Sequence, residues 1–151
     1  MKTKILSITT ILFIAIAISS CTKTEGCKDI TATNYDANAD EDDGNCTYEA
    51  KVTFWFDQDT KDGFAAAGIT SLDYYFDGNL VGSSGTDVYF SSQPACLAGI
   101  LSISVDLGSN STKTFVGDIR DQDDQSIFST PKNITLLGST SSCNMEKIIY
   151  P

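Results

Sequence analysis

The chain has 151 residues with 20 acidic against 10 basic side chains, a net charge of −10, and it contains no histidine. That balance argues against nucleic acid or an anionic membrane surface as a partner. The missing histidine removes the commonest general base and the commonest metal ligand, so zinc, haem and Ser-His-Asp chemistry are disfavoured together.

The first element is an N-terminal signal. Lys2 and Lys4 precede an apolar run from Ile5 to Ile18 that is broken only by Ser7, Thr9 and Thr10. Ile18-Ser19-Ser20-Cys21 then sets small residues ahead of a cysteine, the pattern of a bacterial lipoprotein signal over residues 1–20. A run of about 14 apolar residues is shorter than the roughly 18 to 20 that a bilayer-spanning helix needs. The competing readings are an ordinary secretory signal with a chance cysteine and a retained membrane helix. Cys21 is expected to be the first mature residue and to carry the acyl chains, whose burial at roughly 0.8 kcal/mol per CH₂ anchors a protein durably. Thr22 rather than Asp after that cysteine points to the outer membrane, on its periplasmic or cell-surface face. Processing removes Lys2 and Lys4 and no acidic residue, so the mature chain is more negative still.

Residues 21–25 read as a lipidated tether. Four further cysteines follow, Cys27, Cys46, Cys96 and Cys143, and four allow three pairings. Cys27–Cys46 with Cys96–Cys143 is favoured because each pair then lies within one compositional segment. In an oxidising envelope these are staples, and with no histidine to activate a thiolate none is a nucleophile.

Residues 26–48 form an acidic stretch with almost no apolar side chains. It cannot bury a core of its own and is expected to be held by a disulfide, an ion, or both. Asn38, Asp40, Asp42 and Glu49 fall at positions one, three, five and twelve of a calcium loop. Position six is Asp43, Gly44 comes one place late and no apolar helices flank the loop, so an EF-hand is disfavoured. A looser calcium-stabilised knot using Asn38, Asp40, Asp42, Asp43 and Glu49 stays as an expectation, against an acidic solvated spacer.

Residues 50–151 change character. They are β-branched and aromatic with Gly, Ser, Asn and Asp punctuation, and they show no helical periodicity. Lys51–Phe56 alternates with Val52, Phe54 and Phe56 on one face and Thr53 and Trp55 on the other. Asp57–Gly63 misses the calcium-loop spacing by one, at Lys61, and reads as a solvated hairpin loop. Ser71–Phe76 sets Leu72, Tyr74 and Phe76 on one face, Asp77-Gly78-Asn79 turns, and Leu80-Val81 begins the return. Asp87–Phe90 is a short strand candidate before the loop Gln93-Pro94-Ala95-Cys96. Leu101–Leu107 points Leu101, Ile103, Val105 and Leu107 inward. Lys113–Ile119, a charged turn over 117–124 with Arg120 pairing locally, Asn133–Leu137 and Cys143–Tyr150 complete the set. Seven to eight short strands predict an all-β domain, an antiparallel β-sandwich of Ig-like or transthyretin-like build.

Two resemblances add to this. The pattern Gly26-Cys27-x-Asp29-x-x-Ala32-x-Asn34-Tyr35-x-x-x-Ala39-x-x-Asp42-Asp43-Gly44-x-Cys46-x-Tyr48 resembles a short module of secreted and surface proteins of Bacteroidota-type bacteria. The defined positions of that module agree from Gly26 through to Tyr48, with Asn45 where the module usually has Ser. The resemblance implies a disulfide-closed extracellular spacer, associated with calcium in some members, and no catalytic role. A single copy speaks against a repeat-built stalk. Residues 51–148 are similar, less specifically, to small β-sandwich domains of outer-membrane lipoproteins from the same bacteria.

Trp55 and Tyr75 lie opposite the apolar sets of their strands. If both face outward from one sheet they form a stacking platform for sugar rings or a partner. The competing readings are that a loop such as Phe64–Ile69 covers them, or that they fill the second side of a buried strand. No phosphate loop, basic patch or placed acid/base pair appears, so no enzyme activity is expected. The sequence reads as a non-catalytic outer-membrane lipoprotein presenting a β-sandwich to a protein partner or as envelope structure. The alternative is a carbohydrate-binding or calcium-stabilised adhesive module.

Overall fold

The computed structural model describes residues 23–141 and 143–151. The expected signal at 1–20 and the acylation of Cys21 lie outside the described residues. Among the described residues no helix is long and apolar enough to cross a membrane.

The acidic module opens with β1 (Glu25–Gly26), which pairs in parallel with β2 (Glu41–Asp42). The sandwich follows, with β3 (Tyr48–Trp55), α1 (Gln58–Ala67), β4 (Ser71–Phe76), β5 (Asn79–Gly85), β6 (Leu101–Gly108), β7 (Thr112–Asp121), β8 (Lys132–Leu137) and β9 (Cys143–Lys147). Its strands form a three-stranded sheet, β6-β3-β9, facing a four-stranded sheet, β5-β4-β7-β8. The expected all-β sandwich of seven strands is therefore present. Its pairings are antiparallel except for β9, which lies parallel to β3. Both disulfides follow the favoured pairing, Cys27–Cys46 and Cys96–Cys143, with Cα separations of 5.0 and 5.5 Å.

The period-two alternation places the core. Val52, Phe54 and Phe56 face Leu72, Tyr74 and Phe76, and all six are buried. Phe54 meets Tyr74 at 4.7 Å between ring centroids, and Phe76 stacks on Phe115 at 5.2 Å. These offset and tilted geometries are the favoured ones for aromatic pairs. Asn144 on β9 stitches the two sheets together. Its amide donates to the Leu137 and Lys51 carbonyls and accepts from the Leu137 N–H.

Two expected elements differ. Asp57–Gly63 is not a hairpin loop, and Phe64–Ile69 is not a covering loop. Both belong to α1 and its caps. Asp57 is the N-cap and accepts from the Thr60 N–H at 3.1 Å, while Gly68 closes the C-terminus in the left-handed region at φ 74°. The helix shows little periodicity because it buries only Thr60 and Phe64. Phe64 plugs the sandwich end edge-on against Phe56 at 5.2 Å and Tyr150 at 5.1 Å. Asp87–Phe90 is not a strand either: the Phe90 N–H bonds the Phe56 carbonyl, but no ladder forms.

The acidic module does not stand apart. Cys27 and Ala32 join the same buried cluster as Tyr48 and the sandwich interior. Tyr48 donates its hydroxyl to Asp29 at 2.7 Å, and the Thr33 N–H bonds the Thr47 carbonyl. The Thr24 N–H bonds the Asp40 carboxylate and β1 begins at Glu25, so residues 24 and 25 are joined to the module.

Asp57 also pairs with Lys147 at 2.6 Å, and the lysine, together with the Thr60 N–H, holds its carboxyl down at about 2. A folded-state value below the ordinary 3.8 contributes stability that is complete above that ordinary value and lost as pH falls toward 2. Asp57→Ala is expected to cost about 1 kcal/mol at pH 7. In urea titrations the gap to wild type narrows between about pH 4 and pH 2. A gap that stays constant over that range removes the assignment.

Candidate functional site

The expected metal set does not converge. Asp36 accepts from the Asn38 N–H, Asp42 from the Gly44 N–H, and Asp43 from the Asn45 N–H, each finishing its own tight turn. Asp40 binds the Thr24 N–H, and Glu49 lies on β3, paired across the ladder with Asp106. Asp29 is spent on the Thr31 N–H and hydroxyl and on Tyr48, and these bonds hold its carboxyl below the ordinary range. Among the described residues no three carboxylates or thiolates assemble to hold a metal ion. Asn38, Asp40, Asp42, Asp43 and Glu49 are thus not gathered into one carboxylate cluster among the described residues.

The aromatic pair is separated too. Trp55 sits on the three-stranded sheet and Tyr75 on the four-stranded one, so they do not share a surface. Trp55 is only 9% exposed, and the Lys147 ammonium lies 5.3 Å from its ring centre. Tyr75 is half-buried under the Arg120 guanidinium at 4.8 Å. That arginine is locked by Asp118 at 2.9 Å and Asp124 at 2.8 Å. Burial pushes the Asp118 carboxyl up, but hydrogen bonds from Ser126 and Arg120 outweigh it and hold the group low. The two-ring stacking platform is not formed.

The interior offers little room. The slit between the sheets, lined by Phe54, Tyr74, Phe76, Ile134 and Ile148, holds about 20 Å³, space for about one water. Burial pushes the Tyr74 hydroxyl up to about 12, outweighing the lowering effect of its hydrogen bond with Ser84 at 2.9 Å, so it stays protonated at neutral pH.

The surface that stands out is the crossing, residues 86–100, which carries the chain from β5 to β6 over the outer side of the three-stranded sheet. Its position follows from an unusual demand of β3. Thr53 and Trp55 point outward, yet both are buried, so the outer side needs a cover. The crossing supplies it. The Leu97 N–H donates to the fully buried Thr53 hydroxyl at 3.0 Å, and that hydroxyl also meets Ser102 Oγ at 3.2 Å. The Ile100 N–H bonds the Phe54 carbonyl at 2.9 Å, and Cys96 is tied to Cys143 at the start of β9. Gly99 passes so close to β3 that a Cβ there would lie 2.3 Å from the Phe54 carbonyl oxygen and 2.5 Å from the Thr53 methyl.

What the crossing displays is apolar. Val88, Tyr89 and Leu97 are 52%, 42% and 54% exposed. Leu97 also sits at φ 64°, in the left-handed region that side chains with a Cβ avoid. A strained backbone persists only where its surroundings over-determine it, and such positions concentrate at functional sites. Gln93-Pro94-Ala95-Cys96 marked a loop here, but nothing in the local pattern revealed Leu97, whose N–H is held by the distant Thr53 hydroxyl.

Gly99→Ala is expected to destabilise the fold by about 1 to 3 kcal/mol, since the obstructing atom is backbone. An unchanged urea midpoint would show that the crossing is not seated on β3. Millimolar Ca²⁺ is expected to leave the melting temperature of the described chain unchanged within about 1 °C, whereas a specific site would raise it by several degrees. Comparison with protein-family models, curated proteins and solved structures finds no match to this chain.

Proposed function

We propose that this chain is a non-catalytic outer-membrane lipoprotein, anchored through Cys21, that presents its β-sandwich to a protein partner as an accessory or structural subunit of an envelope assembly. The lipobox at Ile18–Cys21 and the resemblance of residues 26–48 to a surface-protein module support the location. The observation that carries the binding role is Leu97. A large apolar side chain is held in solvent, on strained backbone, by a buried hydroxyl and by the neighbouring disulfide at Cys96. Apolar groups fixed in this way bind with little ordering cost, because the loop is organised before the partner arrives. The charged groups elsewhere support a non-catalytic reading: Asp57, Asp118 and Arg120 are engaged in caps and ion pairs that serve the fold.

The test is purification of the full-length protein from gently solubilised native membranes, beside Cys21→Ser and Leu97→Ser. Wild type is expected to incorporate labelled palmitate and to carry one partner in stoichiometric amount, while Cys21→Ser loses the label. Leu97→Ser is expected to keep its melting temperature and to weaken partner retention by about tenfold, which corresponds to about 1.4 kcal/mol. Purification of wild type alone, or full retention by Leu97→Ser, would remove the binding role.

A further inference from the structure

The acidic residues are distributed unevenly, and the crossing lies in the gap. Between Asp87 and Asp106 the chain runs from Val88 to Val105 without a single charged side chain. A second uncharged run, 133–145, is bounded by Lys132 and Glu146. The Cys96–Cys143 bridge ties these two runs together on the outer side of the three-stranded sheet. Thr53 is flanked in register by Ser102 on one side and Met145 on the other, with Leu97 above it. In a chain with 20 acidic side chains against 10 basic ones, these two runs form an island that carries no charge of its own, with the Lys61 ammonium of α1 over the Tyr89 ring at 5.7 Å on one side.

Its borders are charged, and at one end unbalanced. Toward the helix, Asp57 and Lys147 neutralise each other beside Trp55. Toward the acidic module, Glu49 and Asp106 face each other across the β3–β6 ladder. They stand four residues along β3 from Thr53, about 13 Å at the strand rise. Among the described residues neither carboxylate has a cationic partner, and like charges placed directly opposite repel. An open groove of about 460 Å³ lies beside them, between Thr33, Thr47, Tyr48 and Gly108. Lys51, the cation between this acidic end and Thr53, is occupied with the Thr140 carbonyl.

We propose that this island is the core of the partner interface, and that its occupant is a protein with an uncharged apolar contact bordered by lysine or arginine placed to meet Glu49 and Asp106. The proposal rests on the protein-binding role assigned to the crossing and specifies that partner's chemistry. Interface cores are depleted in charge while their rims stay polar, which is the arrangement here. A second copy of this chain is disfavoured on the same ground: two bodies with this excess of acid repel, and their acidic ends would meet without counter-charge.

The experiment places the photo-reactive residue p-benzoylphenylalanine at Leu97, at Tyr89 or at Val116 of the full-length chain. Val116 is an exposed apolar position on the other sheet and serves as the control. Native membranes are irradiated and the joined peptides sequenced, with melting temperatures confirming that each variant folds. The expected result is that positions 89 and 97 join one non-self protein, at a segment with Lys or Arg beside an uncharged contact, and that position 116 does not. Glu49→Gln with Asp106→Asn is expected to lower the yield at position 97 by about fivefold or more without moving the melt. Joining to a second copy, to an acid-bordered segment, or with no response to the double variant would overturn the proposed partner chemistry. Joining from position 116 alone would move the interface to the other sheet and leave the protein-binding role standing. No adduct at any of the three positions would remove both.

Discussion

The structure depends on the C-terminal half of β3 being buried on both faces. A strand at the centre of a three-stranded sheet would ordinarily turn one face to water, but Val52, Thr53, Phe54, Trp55 and Phe56 are all buried. The inner face is covered by the four-stranded sheet and the outer face by the crossing, whose Leu97 N–H joins Ser102 in satisfying the Thr53 hydroxyl. A buried hydroxyl without a partner costs about 1 to 3 kcal/mol. The crossing meets that need through the Leu97 N–H, and its geometry follows: the glycine at 99, the left-handed Leu97, and the bridge from Cys96 to β9. The displayed side chains of the crossing are thus a consequence of how the sheet is sealed.

The acidic residues illustrate a second economy. In the module several carboxylates act one by one, accepting a backbone N–H two residues ahead, as Asp36, Asp42 and Asp43 do. Charges used in this way are spread around the periphery, which suits solubility at high net charge. What holds the module is covalent and apolar: the Cys27–Cys46 bridge, the burial of Cys27 and Ala32 against Tyr48, and the Tyr48–Asp29 hydrogen bond. The module and sandwich share one core. A compositional boundary near residue 49 is therefore not a boundary of packing.

Legibility followed periodicity. Ser71–Phe76 was readable to the residue because its alternation matches its burial, with Leu72, Tyr74 and Phe76 all inside. The strand at Leu101 was equally clear, with Ile103 opposite Val52 and Leu101 opposite Phe54. Helix α1 was not legible from periodicity, because a ten-residue helix that buries two side chains carries almost no amphipathic signal. Its caps, Asp57 before the run and Gly68 after it, with Asp59 in the first turn, were the available clue. Trp55 was left open for a different reason. Alternation correctly put it on the outer face, but outer does not mean exposed when another segment lies across it.

By itself the sequence determined the class of the fold and the absence of histidine-based chemistry, and favoured the staples as within-segment pairs, because these depend on local pattern and composition. Only the tertiary structure decided that β9 lies parallel to β3, that the acidic module packs into the sandwich core, and that Trp55 and Tyr75 belong to different sheets. It also decided that Leu97 is held out in solvent by a hydroxyl 44 residues away in sequence. The physical reason is that each of these is a relation between segments far apart along the chain. Burial of a face, satisfaction of a buried hydroxyl and convergence of carboxylates are properties of the packed whole, and no window of neighbouring residues contains them.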